Sequence, residues 1–204
     1  NGNEDIKWES TKSTTLGVDL NLWSNRFTSS IEFFTKDTED MLLAIPIVYS
    51  SGYASTPTQN AGSVNNKGIE VQLAYRDQIG EFHFEIGGNI TSIKNKVTSL
   101  GTANEPIYGG YLSSPNPLGY VNKTVVGSPI ACFYGYKTNG VLTPDDFENG
   151  KPKVPVFVSS TPFQPGDMKF EDINGDNKID ENDQTFLGSP HPKLFYGINL
   201  NLEY

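Results

Sequence analysis

The sequence predicts an all-β fold of long antiparallel strands, and three observations predict it. Apolar and polar residues alternate with a period of two, the pattern of strands whose two faces meet different surroundings. The alternating segments run to roughly 9–11 residues or more, the length that crosses a bilayer at a tilt. The connections are unequal, very short at one end of the strands and very long at the other, as in transmembrane barrels. A soluble β-sandwich is the alternative, because its strands also alternate and its core is also aromatic. Sandwich strands are usually nearer ~5–6 residues, which counts against it.

The bulk properties narrow the partners. The chain has 204 residues, with 24 Asp and Glu against 15 Lys and Arg, a formal charge of −9. With no basic stripe, nucleic acid is not an expected partner. No apolar run approaches the ~20 residues of a membrane helix. Cys132 is the only cysteine, so no intrachain disulfide forms. The chain opens on polar residues without a secretory leader and stops at Leu202-Glu203-Tyr204, inside an alternating pattern. The expectation is a segment of something longer.

Taken in order, Leu16, Val18, Leu20 and Leu22 face one way, with Gly17, Asp19 and Asn21 opposite. Ser24-Asn25 makes a tight turn, and Phe27, Ser29, Ile31 and Phe33 begin the returning strand. Residues 41–65 are rich in Gly, Pro, Ser and Asn and are expected to form a long loop. A second hairpin follows: Ile69, Val71, Leu73 and Tyr75 descend, Asp77–Gly80 turns, and Phe82, Phe84, Ile86 and Ile90 return. Last come Leu194, Tyr196, Ile198, Leu200, Leu202 and Tyr204 on one face, with Phe195, Gly197, Asn199, Asn201 and Glu203 on the other. Trp23, Phe27, Tyr75 and Phe82 gather beside the short turns, where an interfacial aromatic girdle would sit.

Strand parity then organises the chain. Residues 1–96 are expected to be barrel strands, 97–191 an extracellular loop region, and 192–204 a strand that re-enters the membrane. Cys132–Lys137 and Met168–Glu171 are strand-like pieces within the loop region, joined by the Pro-rich stretch 143–165. Cys132, in an apolar strand, is expected to be packed rather than reactive.

The loop region carries one candidate metal site, 172–183, reading D-I-N-G-D-N-K-I-D-E-N-D. Asp172, Asn174, Asp176, Asp180 and Asp183 occupy loop positions 1, 3, 5, 9 and 12 of a twelve-residue EF-hand-like Ca²⁺ loop, and the Lys178 carbonyl occupies position 7. Ile179 is the apolar anchor at position 8. Two residues depart from the usual pattern. Asn177 stands where Gly makes the sharp turn, and Asn is the next-best residue for a left-handed backbone. Asp183 stands where a longer Glu is common, so a weaker, structural Ca²⁺ site is expected. The alternative is an acidic, solvated turn without metal.

Several motifs resemble one family. Ile6-Lys7-Trp8-Glu9 with 14–20, 36–43, Asn60-Ala61-Gly62 with Asn66-Lys67-Gly68-Ile69-Glu70, and Gly88-Asn89 with Lys94-Asn95-Lys96-Val97 come first. Then follow 127–140, Pro165-Gly166-Asp167, and Gly188-Ser189-Pro190 with Pro192-Lys193. In this order and spacing they are similar to the SusC/RagA-type TonB-dependent transporters of the bacterial outer membrane. The resemblance implies an internal segment of a 22-stranded barrel whose parent has an N-terminal plug. It also implies partnership with a SusD-like lipoprotein and TonB, contact with outer-membrane lipid, and import of an oligosaccharide or peptide. About five strands cannot close a barrel, since small closed ones need about eight, so the segment is expected to need the rest of its chain or to fold as an open sheet stabilised by self-association.

Enzyme chemistry is not suggested. His83 and His191 are far apart without a companion cysteine, and no nucleophile elbow or phosphate loop occurs. The adjacent pairs Glu39-Asp40 and Asp145-Asp146 point apart, unlike a glycosidase pair. Tyr49, Tyr53, Tyr108, Tyr111 and Tyr120 in the long loops are candidates to stack on sugars, to contact a lid protein, or to pack within the loops. The leading expectation is a nutrient importer segment. The rival is a secreted, calcium-stabilised β-sandwich module that binds carbohydrate.

Overall fold

The computed structural model describes residues 6–44, 58–101, 103–111, 119–158 and 162–204. In chain order the strands are β1 (Ser10–Leu22), β2 (Phe27–Ala44), β3 (Thr58–Ile79), β4 (Phe82–Leu100), β5 (Ile107–Tyr111) and β6 (Tyr120–Thr124). They continue with β7 (Cys132–Tyr136), β8 (Thr138–Val141), β9 (Phe147–Glu148), β10 (Lys151–Pro152), β11 (Met168–Phe170), β12 (Gln184–Gly188) and β13 (Leu194–Glu203). The chain forms two compact units. The first is Asn1–Ile107 with Thr124–Ile130 and His191–Tyr204, and the second is Tyr108–Lys123 with Ala131–Pro190.

The first unit is an antiparallel sheet in the order β1-β2-β3-β4-β13, open at both edges as expected of a barrel segment. Its register keeps the two faces distinct. Leu16 opposes Phe33 and Val18 opposes Ile31, while Ile31 opposes Val71 and Val71 opposes Ile90. This apolar face is uncovered, with Leu16 68% and Ile198 80% exposed. In a sandwich these side chains would be the core; here they form a surface.

The hairpins are tight. Leu22 opposes Phe27 across a turn in which Trp23, Ser24 and Asn25 all take positive φ. Trp23, out of phase with its strand, lies in that turn with its ring 6.0 Å from Phe27. Ile79 opposes Phe82, so the second turn is Gly80-Glu81 with Gly80 at φ +64°, and β3 runs further than the turn expected at 77–80. Only glycine takes that backbone without a Cβ penalty. Tyr75 and Phe82 each lie close to Phe84, with centroids 6.1 and 6.4 Å apart.

The loop expected at 41–65 is corrected by the fold. Residues 41–44 belong to β2 and 58–65 to β3, with Leu42 opposite Asn60. Polar residues read as loop-formers instead satisfy the strands. The Asn60 amide donates to the Asp40 and Lys7 carbonyls at 2.7 and 2.8 Å, and that of Asn65 donates to Asp37 Oδ1 at 2.6 Å. A register shift between Thr38 and Met41 absorbs Asp40, at φ +58°. Tyr49 and Tyr53 lie outside the described residues.

Past the apolar face, β3 and β4 bury a small cluster of Val64, Val97 and Leu100, flanked by Met41, Leu43, Ile107 and Ile130. There the segment after β6 takes over as partner of β4. Val97 N–H donates to the Ser128 carbonyl at 2.9 Å and Gly127 N–H to the Val97 carbonyl at 2.8 Å. Asn95 Oδ1 accepts from Ile130 N–H at 2.9 Å.

The second unit contains the sheet β12-β7-β6-β5 and the pairs β8-β11 and β9-β10. Cys132, Tyr136, Leu142 and Ile179 are buried. Burial raises the thiol pKa of Cys132, in keeping with a packed rather than reactive side chain.

Candidate functional site

Three features carry chemistry. The first is the polar face of the five-stranded sheet, where Asp19, Asn21, Gln72, Glu85, Asn89 and Asn199 line an open hollow of about 640 Å³. Two of its asparagines lie over glycines on the neighbouring strand. Asn199 lies across Gly87, where a Cβ would stand 2.6 Å from its Oδ1, and Asn89 lies likewise across Gly197. The opposed pairs Gly87–Asn199 and Asn89–Gly197 make the exchange reciprocal. Amides that lie flat along the sheet present donors and acceptors toward the hollow. The alternation of Gly197 with Asn199 was visible in the sequence; its match to Gly87 and Asn89 depended on register.

The second is the 172–183 loop. Asp172 Oδ1 accepts from the N–H groups of Gly175 and Asp176, and Oδ2 from Asn177 N–H at 2.7 Å. Asn174 Oδ1 accepts from Asp176 N–H, Asp176 Oδ1 from Lys178 N–H, and Asp180 Oδ1 from Asn182 N–H. Asp183 is fully buried, accepting from Ile173 and Asn174 N–H through Oδ1 and from Asp180 N–H through Oδ2. Asn177 stands at φ +64°, the left-handed turn its position requires.

The anchor, Ile179, is 3% exposed and bridges Phe157 in parallel. Phe157 packs edge-on against Tyr136 and Phe170, with centroids 4.7 and 5.0 Å away. Burial first, then the nearby carboxylates, raise the Tyr136 hydroxyl pKa.

The donor types suit a hard cation, since Asp172, Asn174, Asp176, Asp180 and Asp183 all offer side-chain oxygen. The side chains are not drawn onto one point. Among the described residues no three His, Cys, Asp or Glu side chains are grouped to hold a metal. The loop is organised by its own backbone N–H groups.

The third is an aromatic cluster. Tyr108 packs against Tyr120 at 5.2 Å, Tyr120 against Tyr111 at 5.0 Å, and Tyr134 against Phe186 at 5.5 Å. Lys123 Nζ lies 5.0 and 4.5 Å from the Tyr108 and Tyr134 ring centres. Tyr111 remains the most exposed of the three loop tyrosines, at 62%. Lys123, Tyr134 and Phe186 were not singled out from the sequence; Tyr134 alternates with buried Cys132 and Tyr136, which was the available signal.

Residues 1–189 match the family "TonB dependent receptor-like, beta-barrel". TonB-dependent receptor P3 of Formosa agariphila is 30% identical over 99% of this chain, and the chain covers 20% of that protein. TonB-dependent receptor SusC of Bacteroides thetaiotaomicron is 27% identical over 99% of this chain, which covers 19% of it. The chain thus spans about a fifth of the length of these relatives. The RagAB peptide transporter structure superposes with a TM-score of 0.70 at 23% identity, over 100% of this chain and 20% of that one, a likeness of fold. With one sheet face apolar and uncovered, the other polar and hollowed, and a family match across nearly its whole length, the chain belongs to the TonB-dependent receptor β-barrel family.

Proposed function

We propose that the full-length protein is an outer-membrane importer that takes up a glycan or a peptide with energy delivered through TonB, working with a SusD-like surface lipoprotein. The observation that carries this reading is the division of the five-stranded sheet into an uncovered apolar face and a hollow polar one. Apolar side chains such as Leu16 and Ile198 would meet lipid, while Asp19, Gln72, Asn89 and Asn199 would line the lumen. The likeness in fold to the RagAB peptide importer supports transport as the class of activity. Residues 97–191 would be the extracellular part, since the short turns at the opposite strand ends suit the periplasmic side. The test is fractionation of the full-length protein. It should stay in outer membranes through carbonate extraction and migrate differently on gels when boiled. Recovery as a soluble monomer would overturn the reading.

The 172–183 loop is proposed to hold Ca²⁺ as a structural clamp. Asp172, Asn174, Asp176, Asp180, Asp183 and the Lys178 carbonyl would be its ligands. The hydrogen-bonded loop and its buried anchor, Ile179, support this role. No helix pair flanks the loop among the described residues, so a clamp is favoured over a calcium switch. The Asp183 position favours weak binding, near 10⁻⁴–10⁻³ M, roughly the range of extracellular modules. Isothermal titration with Ca²⁺ tests it, and absence of heat at millimolar Ca²⁺ would overturn it.

A further inference from the structure

We propose that Lys67 and Lys94 bind the phosphate of an anionic lipid headgroup where the apolar face of the sheet ends. The two residues stand directly opposite one another in the β3–β4 register. Both are exposed, and period-two alternation puts them on the same face as Ile69, Val71 and Ile90. Like charges directly opposite in an antiparallel pair repel each other and destabilise it. Among the described residues neither lysine is in an ion pair. Lys12, on β1, is held by Glu39 at 3.1 Å, and Asp37 is engaged by the Asn65 amide at 2.6 Å. A phosphate between the two ammonium groups would turn their repulsion into two charge-assisted hydrogen bonds.

What lies beside the pair favours a lipid as the source of that phosphate. Leu16, Phe33 and Ile69 line a shallow groove that Thr14, Lys67 and Lys94 border. An acyl chain would fit its apolar part and a headgroup its lysine edge. Depth agrees. From Tyr75, beside the short turn, to Lys67 is roughly 26 Å along the strand, or about 20 Å along the bilayer normal at the tilt of barrel strands. That nearly crosses an apolar band of about 25 Å and brings the lysines to the opposite interface.

The inference rests on the membrane-spanning reading, so the experiment separates the two. Full-length protein is purified in detergent and incubated with lipid A, with zwitterionic phosphatidylcholine, or with inorganic phosphate alone, and retained lipid is counted by native mass spectrometry. Wild type is expected to retain lipid A selectively. The K67A/K94A variant should lose that retention by about tenfold or more, K67E/K94E should lose it entirely, and K153A should behave as wild type. Carbonate resistance and heat-modifiable migration, measured on the same variants, should not change. Undiminished lipid A retention in the double variants overturns the proposal, as does displacement by inorganic phosphate at equal concentration. Wild-type protein that fails the carbonate test removes the membrane reading itself, and this proposal with it.

Discussion

The Phe34 ring lies over Gly68, its cross-strand partner on the polar face of the sheet. A Cβ at position 68 would come within 2.8 Å of Phe34 Cζ and would land on the Ser92 carbonyl oxygen. The ring can turn aside, but the backbone oxygen cannot without breaking the β3–β4 pairing. Gly68→Ala should therefore destabilise the sheet by about 1–3 kcal/mol, the usual cost of overpacking. The heat-modifiability midpoint of the full-length protein measures it. An unchanged midpoint would show that the strands can separate there at no cost.

Adjacent positions of β13 should respond oppositely to charge. Leu200 is 62% exposed on the apolar face, whereas Asn201 belongs to the polar one. Leu200→Arg should cost about 2–4 kcal/mol if it lies near the bilayer midplane, and Asn201→Arg much less. Equilibrium unfolding in lipid vesicles compares the two. Equal effects would contradict the assignment of faces.

Asp183 should matter to its loop whether or not calcium is present. It is fully buried, and its two oxygens satisfy three backbone N–H groups. Asp183→Ala leaves those donors without their acceptor, a loss of about 1–3 kcal/mol. Hydrogen exchange across 172–188 should accelerate in chelator as well as in Ca²⁺.

The D172N/D176N variant separates the metal from the fold. Each Asn keeps one acceptor oxygen for the bonds now made at Oδ1, but the acceptor of Asn177 N–H at Asp172 Oδ2 is lost, so in chelator its exchange should be modestly faster than wild type. Millimolar Ca²⁺ should slow exchange in the wild type only. Equal slowing in both would sink the assigned ligands.

Asp146 sets a pH dependence of known sign. Its carboxylate accepts from Lys169 Nζ at 2.7 Å and from the Thr143 N–H and hydroxyl at 2.8 and 2.9 Å. These partners, the lysine foremost, hold its pKa down to about 2 from 3.8. Because the folded value is the lower one, the stabilisation is fully present above about 4 and is lost as pH falls toward 2. Amide exchange in 143–147 should be faster in Asp146→Asn than in wild type at neutral pH. The difference should vanish near pH 2.

The strand faces, the two tight turns and the acidic loop were legible because each depends on residues close in sequence. Period-two alternation declares its two faces to any reader, and the spacing of Asp172, Asn174 and Asp176 follows the local turn that their side chains cap. Residues 41–65 misled for the same reason. Asn60 and Asn65 carry the composition of a loop, yet they hydrogen-bond partners on β2 and near the start of the chain, and local composition does not report those partners.

From its sequence alone this chain was determined to be all-β, of membrane length, with unlike faces and one acidic loop of calcium-ligand spacing. Only the tertiary structure decided which residues meet across strands. It placed Phe34 on Gly68, Asn199 on Gly87 and Lys67 against Lys94, and it buried Asp183. The physical reason is register. Period two specifies the face of each residue, but a shift of two residues preserves every face while replacing every neighbour. Pairing, turns and bulges had to be formed before any of those contacts existed.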